Sequence, residues 1–265
     1  MPNLFALAEQ ALTAPAVETK LALAHEAWRC HRQGALVLNS EAVPVQPIES
    51  ARFPDKPMLV DPRKLPKRKL NSREGRVALL HAVAHIEFSA IQLAFDHLYR
   101  FRGMPQQYYV DWLGVAEEEA QHFELLRGRL GELDAEYGDL PAHAGLWGIA
   151  QDTAYDVLAR MALVPRFMEA RGLDVTPGII AKLGTIGDEA SIKVLERILD
   201  EEVGHVALGS RWFHWVCAER GLEPEETYFA LVERHLQGQA RGPFNLALRR
   251  QAGFSETELI RLDRI

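Results

Sequence analysis

The stretch DEEVGHVALG, residues 200–209, decides how this chain is read. It lies inside a long run of helical periodicity, yet it places Glu202 and His205 where the apolar stripe should run. Three residues along an α-helix advance about 300°, so the two side chains leave from nearly one face and can grip a single metal ion together. A lone Glu-x-x-His is weak evidence, because roughly one is expected by chance in a chain of this composition. A single buried Glu or His is more often a hydrogen-bonded core residue than a ligand.

The pattern occurs a second time, in EEEAQH at residues 117–122, where Glu119 and His122 interrupt a stripe formed by Trp112, Val115, Leu126 and Leu130. Two further carboxylates intrude on apolar faces. Glu87 sits in HAVAHIEFSAIQLAF among Leu80, Val83, Ile91 and Ala94, and Glu169 follows Leu158, Ala162 and Pro165. Glu87 and Glu119 stand 32 positions apart, and Glu169 and Glu202 stand 33 apart, which marks an internal repeat. Gly103 is the midpoint of the first pair, so a turn there brings both carboxylates to one height in an antiparallel hairpin. Equal height in the second pair requires the chain around Gly172 and Pro177 to keep rising along the helix axis. Two Glu and two Glu-x-x-His contributions, one from each of four helices, form the ligand set of a dinuclear carboxylate centre. Two divalent cations would neutralise four carboxylates that otherwise repel one another in a dry core. Oxygen-rich ligation with two imidazoles and no thiolate suits iron, manganese or a mixed pair better than structural zinc.

Composition bounds the alternatives. With 48% hydrophobic and 25% charged residues, the chain is of ordinary globular type and disorder drops out. A net charge of −7 argues against a dedicated nucleic-acid binder. Cys30 and Cys217 have no paired spacing, so neither a disulfide framework nor a thiolate metal site is expected and a reducing compartment fits. The N-terminal residues lack a basic leader, and no uninterrupted apolar run approaches the ~18 residues of a membrane span, so a cytoplasmic protein without a membrane partner is expected.

The periodicity predicts helices around residues 4–12 and 17–30, then a proline-rich arm carrying Pro44, Pro47, Pro54, Pro57, Pro62 and Pro66. A long helix follows, capped by Asn71 or Ser72 with Glu74 completing a capping box, and reaches about residue 101. A second runs over 106–137. A third begins near Asp152, is kinked by Pro165 and stops near Gly172, with a short helical turn in 176–187. A fourth starts at Asp188 and ends at Gly221, and flanking helices are expected at 224–237 and 255–265. The fold class is therefore all-α. Residues 1–70 are expected to pack on a four-helix bundle spanning 71–222, followed by the flanking helices of 223–265.

At Glu87, Glu119, His122, Glu169, Glu202 and His205 the chain resembles the ferritin-like diiron carboxylate superfamily. More narrowly, it resembles bacterial ferritin-like proteins that look similar to diiron tRNA hydroxylases. The resemblance covers about residues 72–221. It implies a ferritin-like bundle holding two iron ions and an O2-activating oxidase or hydroxylase. O2, an electron donor and a substrate would be its partners, with donor, substrate and oligomeric state unassigned and no catalytic residues named beyond the metal ligands. The competing readings are a metal-handling protein without turnover and a helical scaffold with a relic site. The arm and the tail lie outside the resemblance.

Four smaller features complete the reading. His81 and His85 are expected to divide, one in the core and one facing outward. The basic run Arg63, Lys64, Lys67, Arg68, Lys69, Arg73 and Arg76 reads as a solvated strap in preference to a nucleic-acid contact. Tyr108, Tyr109 and Tyr155 read as packing residues with hydrogen-bonded tips. Gly204, between the two ligands of its pair, is expected to let a neighbour approach closely.

Overall fold

The computed structural model describes residues 1–39, 41, 43–46, 48, 51–65, 69–237 and 241–264. Pro47, Pro66, Lys67 and Arg68 of the expected arm and basic run lie outside them. The fold is all-α: among the described residues only isolated β-bridges occur and no strand. The chain divides into two compact units, residues 1–151 and 152–265.

The first unit holds α1 (Leu4–Thr13), α2 (Val17–Arg32), α3 (Arg73–Arg100), α4 (Gln106–Glu132) and, ending at its boundary, α5 (Gly145–Asp152). Helix α3 is buried on nearly every side over its second half, which explains a sequence rich in Ala, Leu and Phe with little amphipathic contrast. It is long and apolar enough to cross a membrane, but most of its apolar window is covered by the protein itself, as in a core helix. Ser72 caps it by accepting from the Gly75 amide at 3.0 Å. The expected box with Glu74 does not form, because the third helical position is Gly75. A Cβ there would stand 1.8 Å from the Lys69 carbonyl oxygen, so only glycine lets the chain turn in so tightly.

A five-residue turn with Gly103 at φ +77° joins α3 to α4, and Tyr109 Oη braces it by donating to the Phe101 carbonyl at 3.2 Å. Helix α4 stops at Glu132 instead of near 137, since Asp134 adopts a left-handed φ of +49° that ends the helical path. Helices α1 and α2 pack on α3 and α4 respectively. The described arm contains one 3-10 turn, Pro62–Lys64, and is pinned to this unit. Tyr99 Oη accepts from the Gln46 amide at 2.7 Å, Arg100 Nη2 donates to the Ile48 carbonyl at 3.0 Å, and Val60 pairs with Ala142.

The second unit opens with α6 (Val157–Leu163), capped by Asp156, not Asp152. Asp152 instead ends α5, so the expected start is four residues too early. A π-helical segment, Val164–Glu169, follows, and then α7 (Ala170–Gly184). The expected stop near Gly172 does not occur: α7 runs through both Gly172 and Pro177. Thr185, Ile186, Gly187 and Asp188 form the turn into α8 (Glu189–Arg220), which Gly221 terminates at φ +63°. Helix α9 (Pro224–Leu236), α10 (Leu246–Gln251) and α11 (Glu256–Leu262) complete the unit. The short α10 is absent from the sequence reading, because its six residues offer fewer than two turns of periodicity.

Candidate metal centre

Glu87 on α3 and Glu119 and His122 on α4 meet inside the first unit. They are 4%, 1% and 0% exposed, so their charges have no bulk water to lean on. His122 Nδ1 lies 3.0 Å from Glu87 Oε2 and 3.5 Å from Glu119 Oε2. One ligand atom from each residue falls within 4.8 Å of the others, and this cluster can hold a metal ion. The turn at Gly103, midway between Glu87 and Glu119, is what sets the two carboxylates at one height.

The electrostatics show how much the group needs a cation. Burial pushes the Glu87 carboxyl up to about 7, with the neighbouring Glu119 charge adding to the rise and His122 opposing it. Burial alone would lower the His122 imidazole, yet hydrogen bonds and attraction from Glu119 and Glu87 raise it to about 11. The two carboxylates therefore favour a proton on the His122 ring. The donor set, two carboxylates and an imidazole nitrogen without sulfur, fits a divalent metal ion that takes the place of a proton.

In the second unit Glu202 and His205 lie on one face of α8, with His205 Nδ1 3.3 Å from Glu202 Oε1. His205 is buried and Glu202 half-buried. Their neighbours Asp200 and Glu201 turn away, Asp200 to solvent and Glu201 to Arg197 at 3.2 Å. Glu169 closes the π segment and is half-buried. Because helix continues from Val157 to Gly184, the midpoint between Glu169 and Glu202 falls in the turn at 185–186, as equal height requires.

The π segment has a local cause. Pro165 donates no amide hydrogen, and an inserted residue accommodates the gap while rotating everything downstream, Glu169 included. Gly209 on α8 makes room for it, since a Cβ there would lie 2.4 Å from the Pro165 Cβ. The close approach expected at Gly204 is thus found five residues later, while Gly204 is exposed, with no described atom within 4 Å of the place a Cβ would take. Arg166, inside the π segment and fully buried, is gripped by both Glu258 oxygens at 2.9 and 3.1 Å. It is also stacked among Phe213, Tyr228 and Phe254. The sequence reading missed this support, because the Arg166–Glu258 pair spans 92 positions and no local pattern links its ends.

Of the other singled-out residues, His81 and His85 are both buried, which corrects the expectation that one faces outward. The 137–143 segment covers them: Tyr137 stacks on both rings, and the His143 carbonyl accepts from His85. Tyr108 and Tyr109 are buried with bonded tips, and Tyr155 is exposed.

No solved structure matches the chain. A protein of Haemophilus influenzae, described as "Uncharacterized protein", is 44% identical over 216 residues, covering 79% of this chain and 75% of that one. A family model described as "Protein of unknown function (DUF455)" matches residues 13–260, nearly the whole length. The chain therefore belongs to the DUF455 family.

Proposed function

We propose that the protein is a dinuclear iron carboxylate oxidoreductase, ferritin-like in architecture, in which Glu169, Glu202 and His205 of the second unit join Glu87, Glu119 and His122 in one centre. The reading rests above all on the buried Glu87–Glu119–His122 cluster, whose ligand atoms converge closely enough to hold a metal ion. The doubled Glu-x-x-His and the matched 32- and 33-residue spacings supply the second half. Manganese or a mixed manganese–iron pair satisfies the same donors.

Bound ferrous ions would supply the electrons that activate O2. The chain's own part is to hold and exclude. His122 would ligate through Nδ1, the atom that faces both carboxylates, and must give up its proton there to do so. Glu87 and Glu119 would neutralise the ions, and the surrounding apolar side chains would keep water out. Two free, buried cysteines fit a reducing compartment, and the cytoplasm is the proposed location.

The test is O2 uptake by the iron-loaded, dithionite-reduced protein after excess reductant is removed. The reading predicts rapid stoichiometric consumption that Glu202→Ala abolishes. Metal without O2 uptake would leave a metal-handling protein, and no bound metal would leave a scaffold.

A further inference from the structure

Helix α3 carries a second polar row, His81, His85 and Ser89, which points roughly 120–200° around the helix from Glu87. With Ala82 and Ile86 beside it and Leu146 among the residues opposite, this row lines a cavity of about 130 Å³ within the first unit. Ala82 is exposed and Ile86 is 44% exposed, so the cavity has a solvent-facing entrance. Among the described residues the rest of the lining is apolar or imidazole, with no Lys, Arg, Asp or Glu.

The hydrogen bonds decide what such a cavity would accept. The Gly138 amide donates to His81 Nε2 at 2.9 Å, so the neutral ring must carry its hydrogen on Nδ1. Among the described residues nothing hydrogen-bonds to that Nδ1. His85 is engaged at both nitrogens, by Tyr137 Oη at 2.8 Å and the His143 carbonyl at 3.1 Å. Ser89 Oγ spends its hydrogen on the His85 carbonyl at 2.8 Å. At the half-exposed rim, His143 Nδ1 accepts from the Gly145 amide at 3.1 Å, which leaves its Nε2 as a donor in the neutral ring. The cavity thus offers donors. Burial holds the His81 imidazole below its ordinary value, with Asp139 opposing weakly, so the ring offers a hydrogen without a charge. An anion would lose its hydration here and find no cation in return among the described residues.

We propose that this cavity is a second binding site, distinct from the metal centre, for a small uncharged apolar molecule of about one ring with a hydrogen-bond acceptor, such as a ketone oxygen, placed toward His81. Its volume is close to the roughly 150 Å³ of an apolar cavity known to take benzene. Nothing in the chemistry of the cavity depends on a metal at Glu87, Glu119 and His122.

The experiment is a titration of the full-length, ¹⁵N-histidine-labelled protein with cyclohexanone, read at the ring nitrogens by NMR. The expected result is a saturable shift at His81 with Kd on the order of 1 mM, as about seven non-hydrogen atoms allow. Benzene, which lacks the acceptor, and cyclohexanecarboxylate, which brings a charge, should each bind at least about 10-fold more weakly. Ala82→Phe should weaken cyclohexanone to the same degree with an unchanged melting temperature, since position 82 is exposed. If that variant melts lower, Ala78→Leu on the same wall serves in its place. No saturable change at His81, equal binding of the carboxylate or of benzene, or undiminished binding in the wall variant would each overturn the proposal.

Discussion

Lys20 shows what one buried charge does to this protein. Fully buried on α2, it donates from Nζ to the carbonyls of Ala11 and Leu12 at the end of α1, groups that a helix leaves without internal partners. Burial lowers its ammonium to about 7 from the ordinary 10.5. Between those values the unfolded chain binds the proton and the folded chain does not, so folding stability rises with pH; below about 7 both states are charged and the dependence vanishes. Unfolding of wild type and Lys20→Met should therefore diverge in favour of wild type by up to ~1.4 kcal/mol per pH unit between pH 7 and 10.5. Parallel denaturant curves across that window would show the burial to be incomplete. The same physics made Glu119, His122, Glu202 and His205 legible in the sequence, because a polar residue in an apolar stripe needs a reason. Lys20 gave no such signal, since its partners are backbone carbonyls that carry no residue identity.

At the scale of elements, helix periodicity and caps placed α3, α4 and α8 to within a few residues, and the failures cluster where a distant segment dictates the local path. The π segment is the main case. Pro165 announced a disturbance, but its form depends on Gly209, 44 positions on, and on Glu258 in α11. Gly209→Val should therefore cost about 1–3 kcal/mol by driving a side chain into the Pro165 ring. Gly204→Ala, one helical turn and a half earlier with open space around it, should instead stabilise by roughly 0.5–1 kcal/mol. Urea unfolding of the two variants side by side checks this, and equal effects would show that Gly209 is not what seats the π segment. Glu258→Ala should lower stability by about 3–5 kcal/mol, because it leaves Arg166 charged and buried without its carboxylate. The paired burial of Arg249 against Asp174, at 2.8 Å, ties α10 to α7 in the same way. These contacts explain why the tail after α8 folds back into the unit, which composition alone did not reveal.

At the scale of the whole molecule, the chain reads as a duplicated idea: two long antiparallel helix pairs, each with a carboxylate on one helix and a Glu-x-x-His on the other. In the first pair Glu87, Glu119 and His122 converge into a buried cluster that could hold a metal ion. In the second the Glu202–His205 contact is formed, and Glu169 stands at the end of the π segment. If the six residues bind metal as one set, the metal content of the protein and its variants reports it. Protein reconstituted anaerobically with ferrous iron and freed of loose metal is predicted to retain two ions per chain, with Glu119→Ala and Glu202→Ala each losing at least one. Retention of no iron, or of two ions unaffected by either substitution, would contradict it.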